Sequence, residues 1–205
     1  MGFYSRYIFP SVMHWVMSSG QMKEIRAAAL AGVSGHVCEI GFGTGLNLPH
    51  YPPQVSKITA VDPNPGMDKR AQRQIEACTI PVEKLQLDGE SLPFEDRSFD
   101  CVVSTWTLCS IPNVDNALDE VRRILKPGGR FFFVEHGLAD DPKVQRWQHR
   151  LNPLQKLLGG GCHLNRDIRA LINARGFHIE HIETFYLNRE PSFAGFQYKG
   201  TATVI

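Results

Sequence analysis

The sequence predicts an α/β fold, a mostly parallel sheet covered by helices. Three observations carry that expectation. Short β-like runs alternate with helix-like segments along the 205 residues, the pattern of strands joined by crossover helices. The run RFFFVE at 130–135 is apolar almost throughout, as a strand buried on both faces must be. The run HVCEIG at 36–41 leads straight into Gly41, Gly43 and Gly45, glycines at alternate positions that let the backbone turn sharply after a strand.

Each element has its own local reason. Residues 21–30 (QMKEIRAAAL) favour a helix, with Gly32 to end it. Residues 36–41 read as a first strand, 57–62 (KITAVD) as a second, 82–87 as a third and Phe99–Thr105 (FDCVVST) as a fourth. Between the second and third lies a charged amphipathic helix over 66–78. After the fourth, Ala117, Leu118, Val121, Ile124 and Leu125 fall on one helical stripe, and Lys126-Pro127-Gly128-Gly129 turns the chain into the fifth strand at 130–135. A helix over 165–175 starts at an Asn165 cap and stops at Gly176. The tail alternates Tyr198, Gly200, Ala202 and Val204 against Gln197, Lys199, Thr201 and Thr203. It reads as a half-covered strand paired with 178–187 across a turn at 188–191. No repeat or linker divides the chain. Residues 1–205 therefore read as one domain, with an N-terminal cap over 1–30 and a lid-like insertion over 138–164.

Composition excludes several classes. Lys plus Arg is 22 and Asp plus Glu is 21, a net +1, which argues against nucleic acid as a partner. The five cysteines are odd in number, widely spaced and without a CxxC pair. That disfavours a zinc knuckle or disulfide framework and predicts a reducing compartment, the cytoplasm, and no metal. Apolar stretches fall well short of the roughly 20 residues a bilayer needs. The start, MGFYSRYIFPSVMHWVM, lacks the basic opening and apolar block of a secretion signal.

The glycine turn is where chemistry is expected. A dinucleotide fingerprint places its third glycine one step later, and Leu46 holds that slot. Glu39 stands two residues ahead of the turn. Asp62 ends the next strand about 20 residues on, a spacing suited to gripping ribose hydroxyls. Asp88-Gly89-Glu90-Ser91-Leu92-Pro93-Phe94 and Ser98-Phe99-Asp100 lie where a nucleoside would sit.

The ordered series E-x-G-x-G-x-G, V-D-P-N, D-G-E-x-L-P-F, S-F-D-x-V-V and L-K-P-G-G resembles the class I S-adenosylmethionine-dependent methyltransferases over about residues 36–136. The resemblance implies a Rossmann-like, seven-stranded, mostly parallel sheet with helices on both faces and an antiparallel last strand. It implies S-adenosyl-L-methionine as cofactor and S-adenosyl-L-homocysteine as its product. Glu39 and the amides of Gly41 to Gly45 would hold the methionine end, and Thr105 would lie near its amino group. Asp62 would take both ribose hydroxyls, while Asp88 and the Gly89 amide would face the adenine. Phe42, Gly43, Asn47, Pro63 and Glu90 complete the expected cofactor-binding set.

The acceptor is narrowed first by absence. Ser104-Thr105-Trp106-Thr107 replaces the [ND]-P-P-[YF] run of amine-modifying nucleic-acid enzymes. No Pro-Cys nucleophile occurs, and Thr105 is not the acid a metal-assisted catechol enzyme needs. Leu108-Cys109-Ser110, Glu135-His136, Leu151-Asn152-Pro153 and Gly161-Cys162-His163-Leu164-Asn165-Arg166 resemble the methyltransferase-like thiol methyltransferases of animals and their bacterial relatives. That resemblance implies a small thiol as acceptor: hydrogen sulfide, methanethiol or another alkyl thiol. A thiol near pKa 8.5 already holds a few per cent thiolate at neutral pH, so it needs polar neighbours more than a strong base. His136, His163, Arg166 and Thr107 form the expected catalytic set, and Trp106 and Thr107 the pocket lining. Cys109 and Cys162 read as small apolar residues.

Residues 143–158 place Val144, Trp147, Leu151, Leu154 and Leu158 at helical spacing among Lys143, Arg146, Arg150 and Lys156, with Pro153 as a kink. The segment reads as a lid, which Phe3, Tyr4, Tyr7, Ile8 and Phe9 would join. Its basic amphipathic character also suits an anionic bilayer. The animal thiol methyltransferases carry a longer apolar N-terminal anchor, where this chain opens on a short amphipathic stretch. The alternative acceptors are a phospholipid amine or a quinone ring, and a silent cofactor-binding module is a third reading.

Overall fold

A computed structural model describes residues 14–65 and 68–204. The seven strands are β1 (Gly35–Ile40), β2 (Val55–Val61), β3 (Val82–Leu85), β4 (Phe99–Thr105), β5 (Leu125–His136), β6 (Phe177–Tyr186) and β7 (Phe196–Val204). They form one sheet in the order β3-β2-β1-β4-β5-β7-β6. All neighbours are parallel except β7, which runs antiparallel to both β5 and β6. The expected tail strand therefore does more than pair with its hairpin partner: it is inserted between two strands, and neither of its edges is bare.

Alternate side chains along each strand face opposite ways, and this splits the core in two. On β5, Phe131 and Phe133 join Ile40, Val102 and Leu118 on one side of the sheet. Phe132 joins Val37, Ile58 and Val103 on the other. The helices covering these faces are α1 (Gly20–Leu30), α2 (Asp68–Ala77), α3 (Val114–Ile124), α4 (Pro142–Leu158), α5 (Ile168–Ala174) and the single turn α6 (Ser192–Gly195). The predicted stripe of α3 is fully buried at Ala117, Leu118, Val121 and Ile124. Each large side chain so buried contributes about 1.5–3 kcal/mol. Asn113 starts this helix by accepting from the Asn116 amide at 3.3 Å.

Three expectations need correction. The helix expected over 165–175 begins later, at Ile168, because Asp167 caps it by accepting from the Ala170 amide at 3.0 Å. Asn165 is engaged elsewhere, its Nδ2 lying 2.9 Å from His149 Nδ1. The strand expected over 130–135 starts at Leu125 and takes in the Lys126-Pro127-Gly128-Gly129 turn, with a register break between Phe99 and Cys101 of its partner. The stripe on α4 is only half used. Val144 packs on the core, but Trp147, Leu154 and Leu158 are exposed. A polar residue fastens the helix instead. Gln148 is fully buried, accepts from the Ala139 amide at 2.9 Å and donates to the Gly137 and Phe193 carbonyls. The helix runs through Pro153 to Leu158. The aromatic run from Phe3 to Phe9 lies outside the described residues. Among those described, no helix is long and apolar enough to cross a membrane.

Candidate functional site

Strand order reverses between β1 and β4, so the loops after those strands diverge and leave a crevice at their C-terminal ends. A cavity of about 500 Å³ fills it. The glycine turn forms one wall. Gly41 donates to the Val61 carbonyl at 2.8 Å, Gly45 donates to the Phe42 carbonyl at 3.0 Å, and Gly41, Gly43 and Gly45 all have positive φ. At Gly41 nothing larger fits, since a Cβ there would overlap the Thr107 side chain. Asp62, at the end of β2, holds the turn from the side. Its Oδ2 accepts from the Gly43 amide at 2.7 Å and its Oδ1 from the Asn64 amide at 2.8 Å.

Glu39 lies at the floor and is fully buried. It accepts from Asn47 Nδ2 at 2.9 Å and from the Tyr51 hydroxyl at 2.7 Å. Burial pushes its carboxyl up to about 7, against the pull of those two bonds and of Arg26. Asn47 Nδ2 also donates to Thr105 Oγ1 at 3.0 Å. Arg26, from α1, closes this end. Its guanidinium sits 4.7 Å from the Trp106 ring centroid and donates to the Met17 carbonyl at 2.7 Å, and burial lowers it to about 10.

The opposite end is built on Glu135 and His136, where β5 stops. Glu135 is fully buried and accepts from Ser104 Oγ at 2.7 Å and from the Thr107 and Cys109 amides at 3.2 Å each. It thereby fixes the loop after β4, and desolvation lifts its carboxyl to about 7. Trp106 takes a positive φ of 52° there and donates from Nε1 to Gln197 Oε1 at 2.8 Å. That bond accounts for the buried Gln197 on a face expected to be half-open. His136 lines the cavity, with Nδ1 3.6 Å from Cys162 Sγ.

All the expected cofactor residues except Gly45 line this cavity, as do Thr107 and His136. His163 and Arg166 do not. His163 reaches the Cys109 carbonyl, at 2.8 Å from its amide and 3.1 Å from its ring Nδ1. Arg166 donates to the Leu108 and Pro112 carbonyls. Both brace the 107–112 loop. Arg26, Tyr51 and the Cys109–Cys162 pair are members the sequence reading missed. Arg26 sits in a helix whose pattern gives no sign of a buried charge. Cys162 had a signal, its place beside His163, that was read as packing. Among the described residues, no group of three or more His, Cys, Asp or Glu is arranged to hold a metal ion.

Residues 38–133 match the methyltransferase domain family. The chain belongs to the class I, S-adenosylmethionine-dependent methyltransferases. It is 40% identical to the thiol S-methyltransferase TMT1B of Rattus norvegicus over 146 residues, 67% of this chain and 59% of that protein. It therefore spans about three-fifths of that relative's length. A phosphatidylethanolamine N-methyltransferase of Cereibacter sphaeroides is more distant, 32% identical over 135 residues, 65% of this chain and 66% of that protein. A solved SAM-dependent methyltransferase from Methanosarcina mazei superposes with a TM-score of 0.64 at 22% identity, over 83% of this chain and 92% of that one, and shows the shared fold.

Proposed function

We propose that this protein transfers the methyl group of S-adenosylmethionine to a small thiol. The observation that carries the reading is the division of one cavity into a charged, glycine-walled end and an end built from His136, Cys162, Cys109 and Trp106. The similarity to a thiol S-methyltransferase supports it, and the lower identity to a phospholipid enzyme sets the alternative behind it. The five free cysteines support the cytoplasm as its compartment.

The residues fit the cofactor. Asn47 Oδ1 and Arg26 Nε are buried without a partner, an acceptor and a donor suited to an ammonium and a carboxylate on one amino acid. Asp62 would take the ribose hydroxyls, with Pro63 beside it. Asp88, Gly89 and Glu90 would bound the base. When bound, the sulfonium supplies an activated methyl with a neutral leaving group.

The chain's own work is to seat the acceptor and take its proton. His136 Nε2 is buried and unpartnered, while Nδ1 faces the Cys162 sulfur. Cys162 is pulled towards the thiolate, first by the Cys109 thiol and then by His136. A thiolate there holds the imidazole proton on Nδ1, which leaves the Nε2 lone pair free to accept a proton from an incoming thiol. His163 and Arg166 act as positioning residues through the loop they brace. Residues 142–158 form the lid, with Gln155 facing the cavity.

Incubation with methyl-labelled cofactor and a panel of thiols, amines and quinols tests this reading. Labelled thioethers are expected, and cofactor binding without any labelled thiol product would refute it. His136→Asn is expected to lower turnover while the cofactor Kd stays unchanged.

A further inference from the structure

Cys109 and Cys162 meet at the acceptor end of the cavity. Two contacts from His163 to the Cys109 carbonyl draw the 159–163 segment onto the loop after β4. The approach is close: a Cβ at Gly161 would lie 3.2 Å from the Ser110 carbonyl. Gly160 and Gly161 both take positive φ, 62° and 94°, so the backbone before Cys162 adopts a shape that side chains resist. The result brings the Cys109 and Cys162 side chains together, close enough that each shifts the other's thiol, with His136 Nδ1 3.6 Å from the Cys162 sulfur and Ser110 Oγ 3.6 Å from the Cys109 sulfur. Both cysteines line the cavity; Cys109 is buried, and Cys162 is the partly exposed one that a small solute meets. Cys38, Cys78 and Cys101 do not line it. The closeness pushes the Cys109 thiol up and draws Cys162 towards thiolate. A partly exposed thiolate with a second thiol beside it is the arrangement in which disulfides form and reverse.

We propose that Cys162 and Cys109 form a thiol–disulfide modification site that responds to small disulfides. The Cys162 thiolate attacks one sulfur of a disulfide RSSR. A Cys162–SR bond forms as the S–S bond breaks, and RS⁻ leaves. The Cys109 thiol then gives its proton to that thiolate, and its sulfur attacks Cys162. The Cys109–Cys162 bond forms and a second RS⁻ departs, to be protonated by solvent. Two protein thiols are oxidised and one disulfide is reduced to two thiols. An excess of RSH drives the sequence backwards. The bond removes the thiolate that faces His136 Nδ1, so methyl transfer stops while it persists. This last consequence rests on the thiol-acceptor reading above. The linkage itself does not.

The test titrates the reduced full-length chain with 2-hydroxyethyl disulfide, alkylates the remaining thiols and maps the peptides by mass. A linked Cys109–Cys162 peptide two hydrogens lighter is expected. Thiol methylation, assayed with the disulfide kept in excess over the acceptor thiol, should be lost in step with it and return when a phosphine reductant is added. Cys109→Ser should stop at a mixed disulfide on Cys162, and Cys162→Ser should leave residue 109 unmodified. Adducts confined to Cys78, or linkage with unchanged turnover, would overturn the proposal. Linkage in a chain that methylates no thiol supports the modification site and overturns only the acceptor reading.

Discussion

Gly41→Ala isolates what the glycine turn contributes. Gly41 has φ +80°, a region that costs an L-residue about 1–2 kcal/mol. A Cβ there would also lie 2.6 Å from Thr107 Cβ and overlap Thr107 Oγ1. Thr107 cannot easily yield, because its amide is held by Glu135 and its hydroxyl donates to the Thr105 carbonyl at 3.1 Å. Overpacking of this kind costs a further 1–3 kcal/mol or so. Together the variant should lose about 2–5 kcal/mol of unfolding free energy, read from urea denaturation at constant m. The second variant Gly41→Ala/Thr107→Gly separates the two costs. Removing the Thr107 side chain relieves the overlap and leaves the φ strain, so the cycle should show a coupling of about 1–3 kcal/mol. A Gly41→Ala protein within about 0.5 kcal/mol of wild type, the range of an inert surface change, would refute the close contact and the role built on it.

Asp62→Ala removes a charged acceptor from two backbone amides and from the expected ribose grip. Cofactor Kd should rise by about 10- to 150-fold, equivalent to 1.5–3 kcal/mol, measured by calorimetry. An unchanged Kd would contradict the assignment. Arg26→Met should weaken the cofactor by about ten-fold or more through loss of a charged donor, with a smaller effect on adenosine alone. Equal losses for both ligands would place Arg26 away from the methionine end. Glu135 is raised to about 7 from 4.5, so the folded state holds its proton more tightly than the unfolded one. Its contribution is therefore full below about pH 4.5 and is lost as pH rises through 7. Relative to Glu135→Gln, wild type should lose up to about 3 kcal/mol between pH 5 and 8 in urea titrations, and parallel pH profiles would refute that burial argument.

Strand positions were legible because period and composition coincide. β4 was read to the residue, and the α3 stripe is buried as its spacing requires. Boundaries slipped where two residues competed for one job, as with Asp167 and Asn165 as caps for α5. That Glu39, the glycine turn, Asp62 and Asp88 would line one cavity was legible because these residues follow strand ends in sequence order. The His136 end is assembled from distant segments, the β4 loop, the end of β5 and residues 159–162, so no local pattern announces it. Arg26 reads as an ordinary helix surface residue until α1 packs it against Trp106. Leu154 and Leu158 read as the apolar stripe of a lid, yet stay exposed because Gln148 rather than leucine fastens α4.

A crystal structure with S-adenosylhomocysteine tests the central claim most directly. The sulfur should face the gap between Thr107 and His136, the adenosine should rest along Asp62 and Asp88, and the amino-acid end should meet Asn47 and Arg26. A compound bound outside this cavity, or inside it with its sulfur turned away from His136, would contradict the account.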